Sequence, residues 1–133
     1  MKFTHIGIVV IRVVLGVIFF AHGLSKFQGG IDNTAGFFTS LGLPGFSAYL
    51  VAGIELIGGA LIILGLATRI IAALFAAIMV VAIATVSLQN GLVGGFEFDL
   101  SLLAMSLLLV LNKEQAYSVD NVILSSRKKE QNV

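Results

Sequence analysis

Residues 46–88 read FSAYLVAGIELIGGALIILGLATRIIAALFAAIMVVAIATVSL, and this stretch decides the fold. Its only charged residues are Glu55 and Arg69. Thr68-Arg69 divides it into two apolar runs, 46–67 and 70–88. Each has about the 20 residues that carry an α-helix across roughly 30 Å of hydrocarbon. The reading is a hairpin of two transmembrane helices joined by a tight turn at Arg69.

Two further runs flank this hairpin. The first, residues 6–27, is long enough to cross a bilayer. Lys2 and the small residues around Ala21-His22-Gly23 give it some signal-peptide character, but Arg12 inside the apolar region argues for a retained helix. The last run, residues 96–111, is short for a crossing, so tilt or local thinning is expected. Between the first two runs, Gly29-Gly30, Asp32-Asn33 and Pro44-Gly45 mark a loop over 28–45. Phe37, Phe38, Leu41 and Leu43 interrupt its polarity and suggest a short amphipathic helix at the interface. Gln89-Asn90-Gly91 and Gly94-Gly95 turn the chain into the last span, and Asn112-Lys113-Glu114-Gln115 returns it to water. The tail beyond about Ser126 is polar and reads as disordered. The expected fold class is an all-α, integral membrane four-helix up-down bundle.

Composition agrees. Hydrophobic residues make up 58% and charged residues 11% of the 133, against roughly 45–50% and 25% in soluble domains. Lipid tails must cover the excess apolar surface. A net charge of +1, with no basic stripe beyond Arg127-Lys128-Lys129, predicts no nucleic-acid partner. The chain has no cysteine, which excludes disulfides and thiolate chemistry on its own side chains.

Lys2, Arg69, Lys113 and the Arg127–Lys129 run fall on one side of a four-span arrangement, and the opposite loops carry no Lys or Arg apart from Lys26 at a helix end. The positive-inside rule then places both termini in the cytoplasm. Gly53, Gly58, Gly59, Ala60 and Gly65, with Ala72, Ala73, Ala76 and Ala77, provide small surfaces on which helices approach closely.

Chemistry would have to come from the ionisable groups at membrane depth: Arg12, His22, Lys26, Glu55, Glu97 and Asp99. At about 100° per residue, Arg12 and Lys26 lie within about 40° of one helix face, and His22 is one turn from Lys26. By depth, His22, Lys26, Glu97 and Asp99 fall in the outer half, with Glu55 near the midplane between His22 and Arg12. One reading is a ligand site open to the outside or the outer leaflet, with His22 and Glu55 as catalytic, proton-handling groups and Arg12, Lys26, Glu97 and Asp99 as ligand-binding groups. A quinone suits it, since its carbonyls need hydrogen-bond partners and its reduction needs a proton route. The opposing reading is a structural ion-pair network, Arg12 with Glu55 and Lys26 with Glu97 or Asp99. Lys26 could equally snorkel to the interface, and Glu97 could serve the helix dipole. His5 and His22 are about 25 Å apart along one helix and cannot share a haem or metal. A metal held by His22 with Glu55, Glu97 and Asp99 is allowed by ligand type but specified by no spacing. Ser25, Ser87 and Ser101 read as ordinary packing serines.

The ordered pieces Arg12-x3-Gly16, His22-Gly23-x2-Lys26-Phe27, Gly42-Leu43-Pro44, Glu55-x2-Gly58-Gly59-x4-Leu64-Gly65-x3-Arg69, Glu97-x-Asp99-Leu100 and Ser118-Val119-Asp120 resemble the DoxX family over residues 6–122. The chain departs from many members by carrying Glu114-Gln115-Ala116-Tyr117 where they have a Gly-x-Gly run, which leaves the cytoplasmic exit turn open. The resemblance implies a single membrane domain over 1–133 in a bacterial plasma membrane. It also implies a redox-associated role, since some members are linked to thiosulfate:quinone oxidoreduction and others to complexes that counter oxidative or thiol stress. By analogy, the expected function is a quinone-linked membrane component. The alternatives are a non-enzymatic scaffold for a soluble redox partner protein and a small-molecule carrier. The bilayer is the first partner in every case, and a homo-oligomer stays open.

Overall fold

A computed structural model describes residues 2–112 and 118–132. The exit segment 113–117, with the Glu114–Tyr117 departure, lies outside the described residues. Among the described residues the chain is helical with no strand. Six α-helices follow in order: α1 Lys2–Gln28, α2 Ile31–Ser40, α3 Phe46–Leu64, α4 Thr68–Ala82, α5 Glu97–Leu111 and α6 Val119–Gln131. Among the described residues four stretches are long and apolar enough to cross a membrane: Phe3–Gln28, Phe46–Leu64, Thr68–Asn90 and Leu92–Leu111. The all-α four-span bundle expected from hydropathy is the observed fold.

The 28–45 loop contains the expected short helix, α2, with no buried residue. The fourth span begins irregularly, because Val93, Gly94 and Gly95 leave helical backbone angles. At about 1.5 Å per residue, α5 itself is only about 22 Å long. At its other end, α4 continues as a π-helical turn over Ile83–Ser87 and a 3-10 turn over Leu88–Asn90. The tail corrects the sequence reading. Residues 127–131 are helical and complete α6, which Ser118 caps by accepting the Asn121 amide. Asp120 in the first turn and Lys128 and Lys129 in the last complement the helix dipole.

The bundle consists of two close pairs, α1 with α3 and α4 with α5. Glycines set the first pair. A Cβ built on Gly59 would lie 2.6 Å from the Phe20 amide nitrogen, and one on Gly23 would lie 2.5 Å from the Leu56 nitrogen. Gly16 faces the Gly59 carbonyl just as closely. Here the backbones touch, the small-residue solution to packing without a hydrophobic drive between helices. Of the small residues named on the second span, Gly59 lies in this seam, where Gly16 and Gly23 of α1 join it. Gly53, by contrast, meets nothing within 4 Å.

The core runs between the pairs through Leu15, Phe19, Ile62, Phe75, Met79 and Leu109, with the Phe19 and Phe75 rings stacked at 3.8 Å. Near their connecting turn α3 and α4 touch, Gly58 against Ile71 and Phe75. Gly65 and Ala67 make that turn with left-handed backbone, at φ 75° and 53°. The start of α6 locks it: the Asp120 carboxylate accepts the Ala67 and Thr68 amides at 2.8 and 2.9 Å, and the Asp120 amide donates to the Gly65 carbonyl. Away from this clamp α3 and α4 line opposite walls of an open space.

Candidate functional site

That space is a cavity of about 560 Å³ at the end of the bundle remote from α6. Its volume falls in the roughly 300–1,000 Å³ range of small-molecule sites. Phe19 closes the floor, α2 contributes Phe37 and Phe38 above, and α3, α4 and α5 supply mostly aliphatic walls. The polar groups in this greasy lining are few: His22 and Lys26 from α1, Ser47 and Glu55 from α3, Thr85 from the π-helical turn, and Asp99 from α5.

Glu55 is buried, at 3% exposure, and Lys26 is half-buried. The Lys26 ammonium donates to both carboxylate oxygens at 2.7 Å. This pairing replaces the expected Arg12–Glu55 and Lys26–Glu97 or Lys26–Asp99 pairs. The reason is depth and reach. Gly23 of α1 stands beside Ala52 and Leu56 of α3, so Lys26 starts one turn nearer the helix end than Glu55. Its four-carbon stem spans that turn inward. Lys26 therefore does not snorkel away from the hydrocarbon; it carries its charge toward the centre.

His22 is exposed and its ring lies against Phe98, with centroids 5.8 Å apart. Asp99 is half-buried and accepts a 2.8 Å hydrogen bond from the Ser87 hydroxyl. Ser87 is therefore more than a packing serine, and the π-helical turn that carries it is the signal the sequence lacked. π-Bulges recur at functional sites because the widened turn redirects side chains.

Two of the six ionisable positions stand elsewhere. Glu97 is exposed at the start of α5 and accepts the Gly94 amide at 3.0 Å. It serves the helix N-terminus and is not in the cavity lining. Arg12 is buried at the far end of α1. Its guanidinium carbon would sit 3.2 Å from a Cβ on Gly65, and it interacts electrostatically with Asp120. Arg12 thus belongs to the clamp at the α3–α4 turn, a partnership invisible in a reading confined to the spans. Among the described residues no three metal-type side chains gather to hold an ion, so His22, Glu55, Glu97 and Asp99 do not form the metal set that ligand type alone allowed.

Chemically, the cavity offers an imidazole, an ammonium–carboxylate pair and a second carboxylate to a guest that is otherwise apolar. Lys26 has three N–H donors and spends two on Glu55, leaving one for a ligand oxygen. A smaller apolar groove on the α3–α4 flank, past Tyr49, Gly53, Ile57 and Ile71, meets the cavity at Leu50, Ile54 and Leu74.

Comparison with known proteins agrees with this architecture. The sequence model of the DoxX family matches residues 7–88. The chain is 47% identical over 127 residues to a Bacillus subtilis (strain 168) protein named "Putative oxidoreductase CatD", covering 96% of this chain and 94% of that one. It is 30% identical over 126 residues to the inner membrane protein YqjF of Escherichia coli (strain K12), covering 92% and 95%. It is also 34% identical over 92 residues to the uncharacterized membrane protein Rv3486 of Mycobacterium tuberculosis, covering 68% and 56%. No solved structure matches the chain. With a family match across more than half its length and a relative aligned almost end to end, this multi-pass membrane protein is a member of the DoxX family.

Proposed function

We propose that the cavity binds a small polar-headed, apolar ligand of the quinone type, and that the protein works as a redox-associated component of a bacterial plasma membrane. The observation that carries this reading is the gathering of His22, the Lys26–Glu55 pair and Asp99 in the wall of one otherwise apolar cavity. A quinone headgroup presents carbonyl acceptors, which suit the remaining Lys26 donor and the His22 ring. Its ring edge suits Phe19, Phe38 and Phe98. His22 and Asp99 then exchange protons with the bound headgroup, and Glu55 holds Lys26 in place. Electrons come from a soluble redox partner protein. The name of the Bacillus subtilis relative supports an oxidoreductase setting. The groove between α3 and α4 supports entry from the lipid, because an amphiphile could slide in sideways past Leu50 and Leu74.

The test is direct. The purified protein is extracted with organic solvent and any quinone or lipid is identified by mass. Binding of a short-tailed benzoquinone to the detergent-solubilised protein is then measured by fluorescence competition. The expected result is a co-extracted quinone and at least a tenfold loss of affinity, about 1.4 kcal/mol, for His22→Ala and Asp99→Asn. Unchanged affinity in both variants would sink the site. Transport of the ligand across proteoliposomes without redox change would point instead to a carrier. Loss of a co-purifying protein with ligand binding intact would point to a scaffold.

A further inference from the structure

Helix α6 carries a face that the bundle does not use. Over residues 119–132 every residue is exposed except Asp120, which is half-buried in the clamp. Val122 is 65% exposed, Ile123 40% and Val119 38%. At about 100° per residue, Val122 and Ile123 fall within about 60° either side of Val119, so the three share one face. Arg127 and Lys129 lie about 80° to either side of that face, and Lys128, Ser125 and Asn121 stand opposite. Leu124 falls outside the stripe. Ser126 and Glu130 continue the same face, so the apolar residues form a patch on the first two turns with the cations beyond it, an arrangement that suits a helix resting at a membrane surface. Its apolar side enters the headgroup boundary, and its basic side chains reach phosphates.

Position favours lipid over a protein groove. The first turn of α6 is pinned by Asp120 to Ala67 and Thr68, where two spans meet. The helix therefore starts at the boundary between hydrocarbon and water. Its 13 residues are too few to cross. Arg69, hydrogen-bonded to the Val110 carbonyl, adds a fourth cation at the same end. We infer that α6 is a membrane-surface anchor whose partner is an anionic phospholipid leaflet: Val119, Val122 and Ile123 insert, and Arg127 and Lys129 bind headgroup phosphate. This goes beyond the ligand site and does not depend on it.

The cysteine-free chain allows a clean test with the full-length protein. Single variants Ile123→Cys and Lys128→Cys carry spin labels in phosphatidylcholine vesicles with and without phosphatidylglycerol. With phosphatidylglycerol, the label at 123 should be accessible to oxygen and shielded from a water-soluble nickel chelate, at a depth of roughly 5–10 Å. The label at 128 should show the reverse. Adding Arg127→Gln and Lys129→Gln, or raising salt, should return position 123 toward water. Equal chelate access at both positions in every vesicle would overturn the inference. So would protection at 123 that requires soluble protein and not anionic lipid. Circular dichroism and gel filtration of each variant confirm that the bundle is folded.

Discussion

Glu55 shows what a single buried charge requires. A carboxylate at 3% exposure is tolerated because Lys26 meets both of its oxygens. Removing Lys26 leaves Glu55 buried and uncompensated, at a typical cost of about 3–5 kcal/mol, whereas removing Glu55 leaves a half-buried ammonium that can turn toward the interface. Lys26→Met should therefore destabilise the protein strongly and Glu55→Leu less, while the double variant should recover much of the Lys26→Met loss. Denaturant unfolding of all four proteins in one detergent checks this. Additive losses would mean that the pair is not coupled. The sequence placed Lys26 and Glu55 at membrane depth without pairing them, and grouped them with Arg12 and Glu97, which do not line the cavity. Arg12 and Lys26 share a helix face, so angle alone could not choose between them; side-chain reach and depth did. Asp120, whose charge acts on Arg12, sits beyond the spans and outside the hydrophobic pattern that defines them. Asp99 could be flagged from its depth, but its donor Ser87 could not, because a π-helical turn leaves no mark in hydrophobic periodicity.

At the level of elements, the α1–α3 seam and the α6 clamp carry the architecture. A methyl at Gly59 meets the Phe20 backbone at 2.6 Å, and backbone cannot rotate away. Gly59→Ala and Gly23→Ala should each cost about 1–3 kcal/mol through overpacking, whereas Gly53→Ala, facing open space, should be near neutral. Thermal unfolding in detergent ranks them, and equal effects at 53 and 59 would contradict the contact geometry. Asp120 carries two backbone amides on one carboxylate, so Asp120→Ala should remove about 1.5–3 kcal/mol of charge-assisted hydrogen bonding. It should also loosen the turn, read as faster amide exchange at Ala67 and Thr68. Glycines on α3 announced close packing, but sequence could not separate Gly59, which touches a neighbour, from Gly53, which does not. Helix α6 was legible in principle. Ser118 as cap, an acid in the first turn and bases in the last are helix signals, but the polar composition of the last residues outweighed them.

Across the whole molecule, polar features separate to two ends. The clamp, Arg12, Arg69 and the basic turn of α6 gather at one end, while α2, the π-helical turn and the cavity occupy the other. Four spans and their order could be read from hydropathy alone, because each apolar run is bounded by turn residues. The cavity could not, since it arises where α3 and α4 separate, and no residue pattern encodes a gap. Basic residues resist transfer across the membrane, so the α6 end should face the cytoplasm and the cavity should open outward. Two reporters on the cysteine-free chain decide this. Gly36 on α2 has nothing within 4 Å of an added Cβ, and Ser125 on α6 is exposed. In intact cells a membrane-impermeant maleimide should label Gly36→Cys and should reach Ser125→Cys only after permeabilisation. The reverse pattern would put the cavity on the cytoplasmic side, and proton exchange at His22 and Asp99 would then draw on the cell interior. Orientation thus fixes which compartment's acidity any ligand chemistry in this cavity responds to.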